Sequence, residues 1–448
     1  MADKDYNKLP DSENPENTEN KEVKKDGWST NAKIVYIIIV TIAVFVGEHF
    51  IRGPLTAFSD AGQEKLIDMP YKCELATHFV WFKYQGKSFI FLVLFNMSNI
   101  FVSLSMITLD AASIFINGTF KLFYTDPRPF WRNHLLEPCT CALNYGSPST
   151  TGLDVYIYSL VVFKGFINRS NKRWYKVLIW ILFLGPIVLA WASRFMQNVH
   201  SLHQLAFGTA IGYIIQYIYY EIMEVDMNSK EQLKKLVNNT WLLATIGITI
   251  FSWFFFNGLH YYFFQIKESR EILDRVELFC SDALKREYDI FDNESYQKTS
   301  QAFLFIGALI GIMLEYNVWF KGDYEAYAKY NMDEERWTET DIYKTALRCI
   351  VMYFVGHAIL SIPKWGSKKK DPIIELMFSK NIVANIFKGV FYFLLIKVVF
   401  YLLTISNESS GVNYNPKEIS KNNGDVELNE SLIKKDEKKP EIDFRKKV

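Results

Sequence analysis

Apolar residues in this chain fall in long unbroken blocks, and the charges lie between the blocks rather than among them. The first block covers about 33–51. A second, over 88–120, is long for one spanning helix and short for two. Others fall near 153–168, 175–194, 203–223, 239–264, 301–320, 344–362 and 380–404. A helix needs about 20 apolar residues to cross the hydrocarbon core of a bilayer. One such block suits a buried helix of a soluble domain, but so many in series do not. The pattern predicts an all-α, polytopic membrane helical bundle of about nine transmembrane helices, or ten if 88–120 folds back near Asp110.

The ends of the chain read differently. Residues 1–31 and 406–448 are polar, rich in Asn, Asp, Glu and Lys, and are expected to be disordered tails. Between them, 32–224 reads as a membrane core that holds every chemical motif, and 225–405 as additional transmembrane helices. The first apolar block begins only near Ala32, so no cleavable signal peptide is expected.

Composition sharpens this picture in two places. Hydrophobic residues make up 50% and aromatics 16%, yet mean hydropathy is zero, because apolar and charged residues are segregated along the chain. A formal net charge of +1 gives no support to a nucleic-acid partner. Cys139 and Cys141 form a C-x-C, too small a set for a zinc site, and read as ordinary thiols or as one loop disulfide. Nothing resembles a metal cage, and no cofactor is expected.

Short loops set the orientation. Arg169, Lys172, Arg173 and Lys176 lie in one loop, and Lys230, Lys234 and Lys235 in another two helices later. Both should therefore be cytosolic, with 126–152 and 195–202 facing away. Lys364, Lys368, Lys369 and Lys370 fall on the opposite side in this count and disagree with it. The terminal Arg445-Lys446-Lys447-Val448 resembles a dilysine retrieval tail, which suits the endoplasmic reticulum.

Three stretches carry candidate chemistry. Lys121 to Trp131, with Arg128-Pro129 inside it, ends one block. Gly146-Ser147-Pro148-Ser149-Thr150-Thr151 opens the next, and Ser193-Arg194 to His200-Ser-Leu-His203-Gln204 joins two later ones. Taken singly they are a snorkelling cation, an N-cap and a structural histidine. Taken together they share one face, because an even number of crossings separates them. Arg128 and Arg194 are suited to grip phosphoryl oxygens, with Lys121 as a point charge. Ser149 and the N–H groups at the start of its helix add donors, and His200 is left as the nucleophile. Among the charges within the blocks, Asp110 and Lys164 are expected to flank this site. Glu315, Arg348 and Lys397 are expected to pair among themselves or snorkel.

Lys121-x6-Arg128-Pro129, Pro148-Ser149 and Ser193-Arg194-x5-His200 resemble the PAP2 (phosphatidic acid phosphatase type 2)/haloperoxidase superfamily, whose pattern is K-x6-R-P, P-S-G-H and S-R-x5-H-x3-D. Asn117-x-x-Phe120-Lys121, Arg128-Pro-Phe-Trp131 and His200-x-x-His203-Gln204 look most like its glucose-6-phosphatase branch. The resemblance covers roughly 110–220 and implies a membrane phosphatase working through a phospho-histidine at His200. In that reading Lys121, Arg128, Ser149, Thr150 and Arg194 hold the phosphoryl group of a sugar phosphate or phosphorylated lipid.

Two positions depart from the pattern. Thr151 stands where the family has the His that protonates the leaving group, a loss of about a hundred- to ten-thousand-fold in rate. His134, on the loop between the first two stretches, is a possible substitute acid. Gln204 stands where most members have Asp, and it can orient His200 without matching a carboxylate's charge. The rival reading is therefore a catalytically impaired relative that binds a phosphorylated lipid or a partner. A transporter reading rests on nothing beyond multiple spans.

Overall fold

A computed structural model describes residues 28–81, 87–97, 100–167, 170–227, 229–237, 241–264, 270–284, 299–332, 342–361 and 382–402. Every regular element among the described residues is helical. The expected tails beyond these limits, the Lys364–Lys370 run and the Arg445–Val448 end lie outside the described residues. In chain order the helices are α1 (Thr30–Glu64), α2 (Lys72–Trp81), α3 (Lys87–Met97), α4 (Ile100–Tyr124), α5 (Pro129–Arg132), α6 (Thr150–Phe166), α7 (Arg173–Met196) and α8 (Leu202–Tyr217). After them come α9 (Lys230–Val237), α10 (Trp241–Leu259), α11 (Arg270–Leu284), α12 (Phe303–Leu314), α13 (Tyr324–Met332), α14 (Ile342–Ser361), α15 (Ile382–Val390) and α16 (Ile396–Leu402).

Where hydropathy counts about nine spans, four described helical segments have both the length and the apolarity to cross a membrane: Thr30–Glu64, Ile100–Arg132, Arg173–Met196 and Ser300–Trp319. Leu243–Leu259 and Ile382–Leu395 are apolar but shorter. α1 begins behind Ser29, whose hydroxyl accepts the Ala32 N–H at 3.3 Å and caps the helix. Along α1 the residues Ile38, Ile39, Ile42, Val46 and Phe50 are exposed, as are Trp174, Val177, Ile181, Leu182 and Val188 on α7. Faces this apolar and this long are stable against lipid and costly against water. They form the outer wall of the bundle.

α4 forms its centre. Ile100, Leu104 and Ile107 repeat at helical spacing and pack with α12 and the segment Phe391–Leu395. Val102, Met106 and Leu109 lie on another face and pack with Leu153, Ile157 and Val161 of α6 and Phe207 and Ile211 of α8. One helix thus serves as a common wall for the motif-bearing helices and for the helices that follow them. α6 and α8 meet backbone to backbone: a Cβ on Gly152 would lie 2.6 Å from the Leu205 carbonyl, and one on Gly208 would run into the Ser149 carbonyl. Small residues permit such close contact between helices, and here the contact brings the starts of both helices together.

Two expectations are corrected. The block 88–120 does not fold back near Asp110. α4 runs straight through that residue, whose carboxylate accepts the Tyr158 hydroxyl of α6, and α3 ends earlier, at Met97. A buried carboxylate with a hydroxyl partner from the next helix does not force a turn. The C-x-C cysteines are neither free thiols nor bonded to each other. Cys139 pairs with Cys73, next to the start of α2, and Cys141 with Cys280 of α11. Both partners are supplied by tertiary structure, at sequence separations of 66 and 139, so local spacing could not show them.

Helix direction puts the three chemical stretches at one end of the bundle. α4 finishes there, α6 starts there, α7 returns there, and α8 starts there again. At the other end Lys33 of α1 lies 4.0 Å from Glu221 and 3.8 Å from Glu224, and Lys164 of α6 lies 3.4 Å from Glu221. The start of α1 therefore sits at the end opposite the chemical stretches. Lys164 is accordingly far along α6 from its expected place beside the site.

Candidate active site

The three stretches converge on a buried polar cluster. Lys121, on the last turn of α4, donates through Nζ to the Tyr145 carbonyl and, at 3.4 Å, to that of Gly146. Arg128 is the N-cap of the short helix α5, whose first residue Pro129 is pre-set for helix. Its Nε donates to the Asn144 carbonyl at 2.6 Å, Nη2 to Asn144 Oδ1, and Nη1 to the Val199 carbonyl at 2.7 Å. Nη1 also lies 3.4 Å from His200 Nε2. The segment 144–146 is thus clasped by both cations. Its cysteine-anchored loop is tied to α2 and α11 by the two disulfides.

Ser149 caps α6, its hydroxyl accepting the Gly152 N–H at 3.4 Å, while its own N–H donates to the Gln204 carbonyl at 3.0 Å. Thr150 donates to Asn117 Oδ1 at 2.8 Å and so turns toward α4. Thr151 is buried, and its Oγ1 accepts from Arg194 Nε at 3.0 Å. Arg194 Nη1 donates to Gln197 Oε1 at 2.7 Å. His200 stands immediately before the Ser201 N-cap of α8, only 2% exposed, and its Nδ1 lies 3.2 Å from Gln204 Oε1. Lys121, Arg128, Ser149, Thr151, Arg194, His200 and Gln204 are therefore brought together. His134 is exposed on the loop after α5, outside this buried cluster.

The cluster is rich in donors. The guanidiniums of Arg128 and Arg194 fix the carboxamides of Asn144 and Gln197 with oxygen inward to the arginine, because a guanidinium only donates. This leaves Asn144 Nδ2 and Gln197 Nε2 as buried N–H groups with no hydrogen-bond partner among the described residues, and Ser147 Oγ is in the same position. Such groups are rare in folded proteins and each calls for an acceptor. Three buried cationic side chains and three buried polar groups without partners make an environment suited to an anion with several oxygens.

The PAP2 superfamily model matches residues 101–227. That span runs from the first turn of α4 to just past α8 and contains every site residue named above. Members of the superfamily are generally phosphatases, so the PAP2 segment supports phosphatase-type activity and a phosphorylated substrate. No curated protein and no solved structure matches the chain. The narrower likeness to the glucose-6-phosphatase branch consequently has no relative behind it.

Several residues around the site escaped the sequence reading. Asp126 and Gln197 lie within the motif stretches but outside the matched positions. Asn144 stands two residues before the second stretch, where only its neighbours drew notice. α1 contributes Thr56, whose Oγ1 lies 3.1 Å from His203 Nδ1, Ser59, which accepts the Leu202 N–H at 2.9 Å, and Gln63, which donates to the His200 carbonyl at 3.0 Å. No local pattern marks these three. α11, which lies between the apolar blocks 239–264 and 301–320, packs Val276 and Cys280 against Phe130, Trp131 and Tyr145. Its Arg275 donates to the Trp131 carbonyl at 2.9 Å.

Proposed function

We propose that the protein is a membrane-embedded, metal-independent phosphatase that hydrolyses a phosphomonoester or diphosphate through a phospho-histidine at His200. The observation that carries this reading is the buried donor-rich cluster around Lys121, Arg128 and Arg194, in which Asn144 Nδ2, Gln197 Nε2 and Ser147 Oγ have no hydrogen-bond partner among the described residues. His200 Nε2 attacks phosphorus, the N–P bond forms, and the bond to the leaving oxygen breaks. The leaving oxygen takes a proton from water, since Thr151 is no general acid near neutral pH. A second water then attacks phosphorus, the N–P bond breaks, and phosphate departs with the imidazole restored. Thr150 adds its backbone N–H at the start of α6, which Ser149 caps, and Gln204 orients His200. The cations neutralise charge that builds on the phosphoryl oxygens.

With Thr151 in place of an acid, the rate should depend on how well the leaving group departs unaided. A prenyl diphosphate should therefore be cleaved faster than phosphatidic acid or glucose 6-phosphate. Phosphate release from these three by the purified protein, beside His200→Ala, tests the assignment. Release that vanishes in the variant supports the phosphatase, and the order of substrates chooses between diphosphate, lipid and sugar. Equal release by both proteins contradicts it.

A second reading, an impaired PAP2-like protein that binds a phosphorylated lipid or partner, is favoured by one observation: Thr151 Oγ1 is already engaged by Arg194. It predicts phosphate binding without release on any substrate.

The site is read as facing away from the cytosol, in an endoplasmic reticulum or other endomembrane, within a bundle of about nine spans. Both disulfides lie at the site end, and disulfides persist in oxidising compartments. Lys172, Arg173 and Lys176 lie at the start of α7, and Lys230, Lys234 and Lys235 on the short α9 that follows α8, both at the opposite end. In sealed vesicles of known sidedness, a membrane-impermeant thiol reagent applied after reduction should reach Cys139 and Cys141 only from the lumenal side. Labelling from the cytosolic side contradicts this orientation.

A further inference from the structure

We infer that Asp126 is the positioning residue for His200, acting through the Gln204 carboxamide. The inference rests on the reading of His200 as nucleophile.

The chain of contacts starts at the carboxylate. Asp126 Oδ2 accepts from Gln204 Nε2 at 2.6 Å, and Gln204 Oε1 lies 3.2 Å from His200 Nδ1. The direction of the amide is set at both ends. Oε1 also receives the Ser201 N–H at 3.3 Å, and a backbone N–H only donates. Nε2 also reaches the Pro127 carbonyl at 3.0 Å, and a carbonyl only accepts. Oε1 is therefore the acceptor toward His200, and Nδ1 carries the ring proton. At the other ring atom, Arg128 Nη1 is a donor at 3.4 Å, which matches an unprotonated Nε2 whose lone pair faces the guanidinium. A nucleophilic histidine needs this tautomer.

Asp126 supplies what a carboxamide lacks. Gln204 alone can hold Nδ1–H but brings no charge to the ring that turns cationic once Nε2 bonds phosphorus. A carboxylate hydrogen-bonded to the far side of the amide polarises it, so that Oε1 becomes a better acceptor. Asp126 is 5% exposed, so its charge is poorly screened. It is held from two other directions. His203 Nε2 lies 3.1 Å from Oδ2, and the Asp126 carbonyl accepts the Gly146 N–H at 2.8 Å. His203 Nδ1 in turn lies 2.9 Å from Ser201 Oγ and 3.1 Å from Thr56 Oγ1. This bracing comes from α1, α8 and the 144–146 segment, and it fixes the carboxylate behind Gln204.

The test uses two oxyanions that read different things. Inorganic phosphate needs only the cations and donors of the pocket. Orthovanadate can in addition form a bond from vanadium to an imidazole nitrogen that carries no proton, so the ratio of its affinity to that of phosphate reports on Nε2. Titration calorimetry on the full chain in detergent gives both affinities, with His200→Ala setting the floor of the ratio. Asp126→Asn keeps an acceptor for Gln204 and removes the charge. It should lower the ratio by about tenfold to a hundredfold, the range for loss of a carboxylate that orients a histidine, with phosphate affinity nearly unchanged. Gln204→Glu places a carboxylate directly on Nδ1 but beside Asp126. In that background Asp126→Asn should raise the ratio, because it removes the repulsion and returns a donor. This reversal of sign keeps the inference testable even if Asp126→Asn alone folds poorly, and a role confined to bracing His203 would not produce it. A wild-type ratio above the floor that Asp126→Asn leaves intact in both backgrounds overturns the inference. A wild-type ratio equal to that of His200→Ala overturns the assignment of His200, and this inference with it.

Discussion

Arg128→Lys is expected to lower kcat/KM for phosphate release by about a hundred- to a thousandfold, the scale of losing one preorganised oxyanion donor. Arg128 reaches Asn144 twice, the Val199 carbonyl once and the edge of His200. No ammonium can serve these positions together, because its donors radiate from one atom while those of a guanidinium are spread across a planar fork. Lysine retains the charge, so the substitution separates geometry from electrostatics. It should also loosen the 144–146 segment, since buried acceptors left without donors cost about 1–3 kcal/mol each. Steady-state kinetics alongside melting in detergent distinguishes the two effects. A variant with kcat/KM within a few fold of wild type would show that Arg128 clasps the loop and does not touch the substrate.

Glu315→Ala should produce the largest loss of stability away from the site, about 3–5 kcal/mol, because it strands a buried ammonium. Lys397 Nζ lies 2.5 Å from Glu315 Oε1 and 2.7 Å from Asn331 Oδ1, with Glu315 fully buried. Both residues are set among α12, α13 and α16, in helices expected to lie in lipid, where water cannot replace the missing partner. Replacing both, as Glu315→Gln with Lys397→Met, should cost far less than either single change, since an ion pair and a neutral pair of similar volume are often close in stability. Thermal unfolding in detergent provides the comparison. A single variant no less stable than the double one would mean that the pair contributes nothing to the fold.

Much of the architecture was legible because lipid imposes a simple rule on sequence. α6 and α7 begin and end within a few residues of the blocks 153–168 and 175–194, and α8 begins one residue before the block 203–223. The even number of crossings then placed Lys121, Ser149, Arg194 and His200 at one end, where the structure has them. The expected pairing among Glu315, Arg348 and Lys397 is realised between the first and the last.

What stayed hidden depends on contacts across long separations. Asp110 looked like a turning point because a lone carboxylate in an apolar run is costly, and only the fold brings Tyr158 to it. The partners of Cys139 and Cys141 lie on α2 and α11, and the polar face of α11 gave no hint that its other side covers Trp131. Asp126 was in plain view between Lys121 and Arg128. Its role depends on Gln204, which reaches it from 78 residues away.

The most direct test of the account is to catch His200 in the act. The protein is mixed with a prenyl diphosphate, quenched in base, where phospho-histidine survives, and its peptides are read by mass spectrometry. The account predicts a phosphoryl group on His200 that appears before free phosphate and fades as substrate is exhausted. Phosphate released while His200 remains unmodified, or a phosphoryl group on another residue, would contradict it.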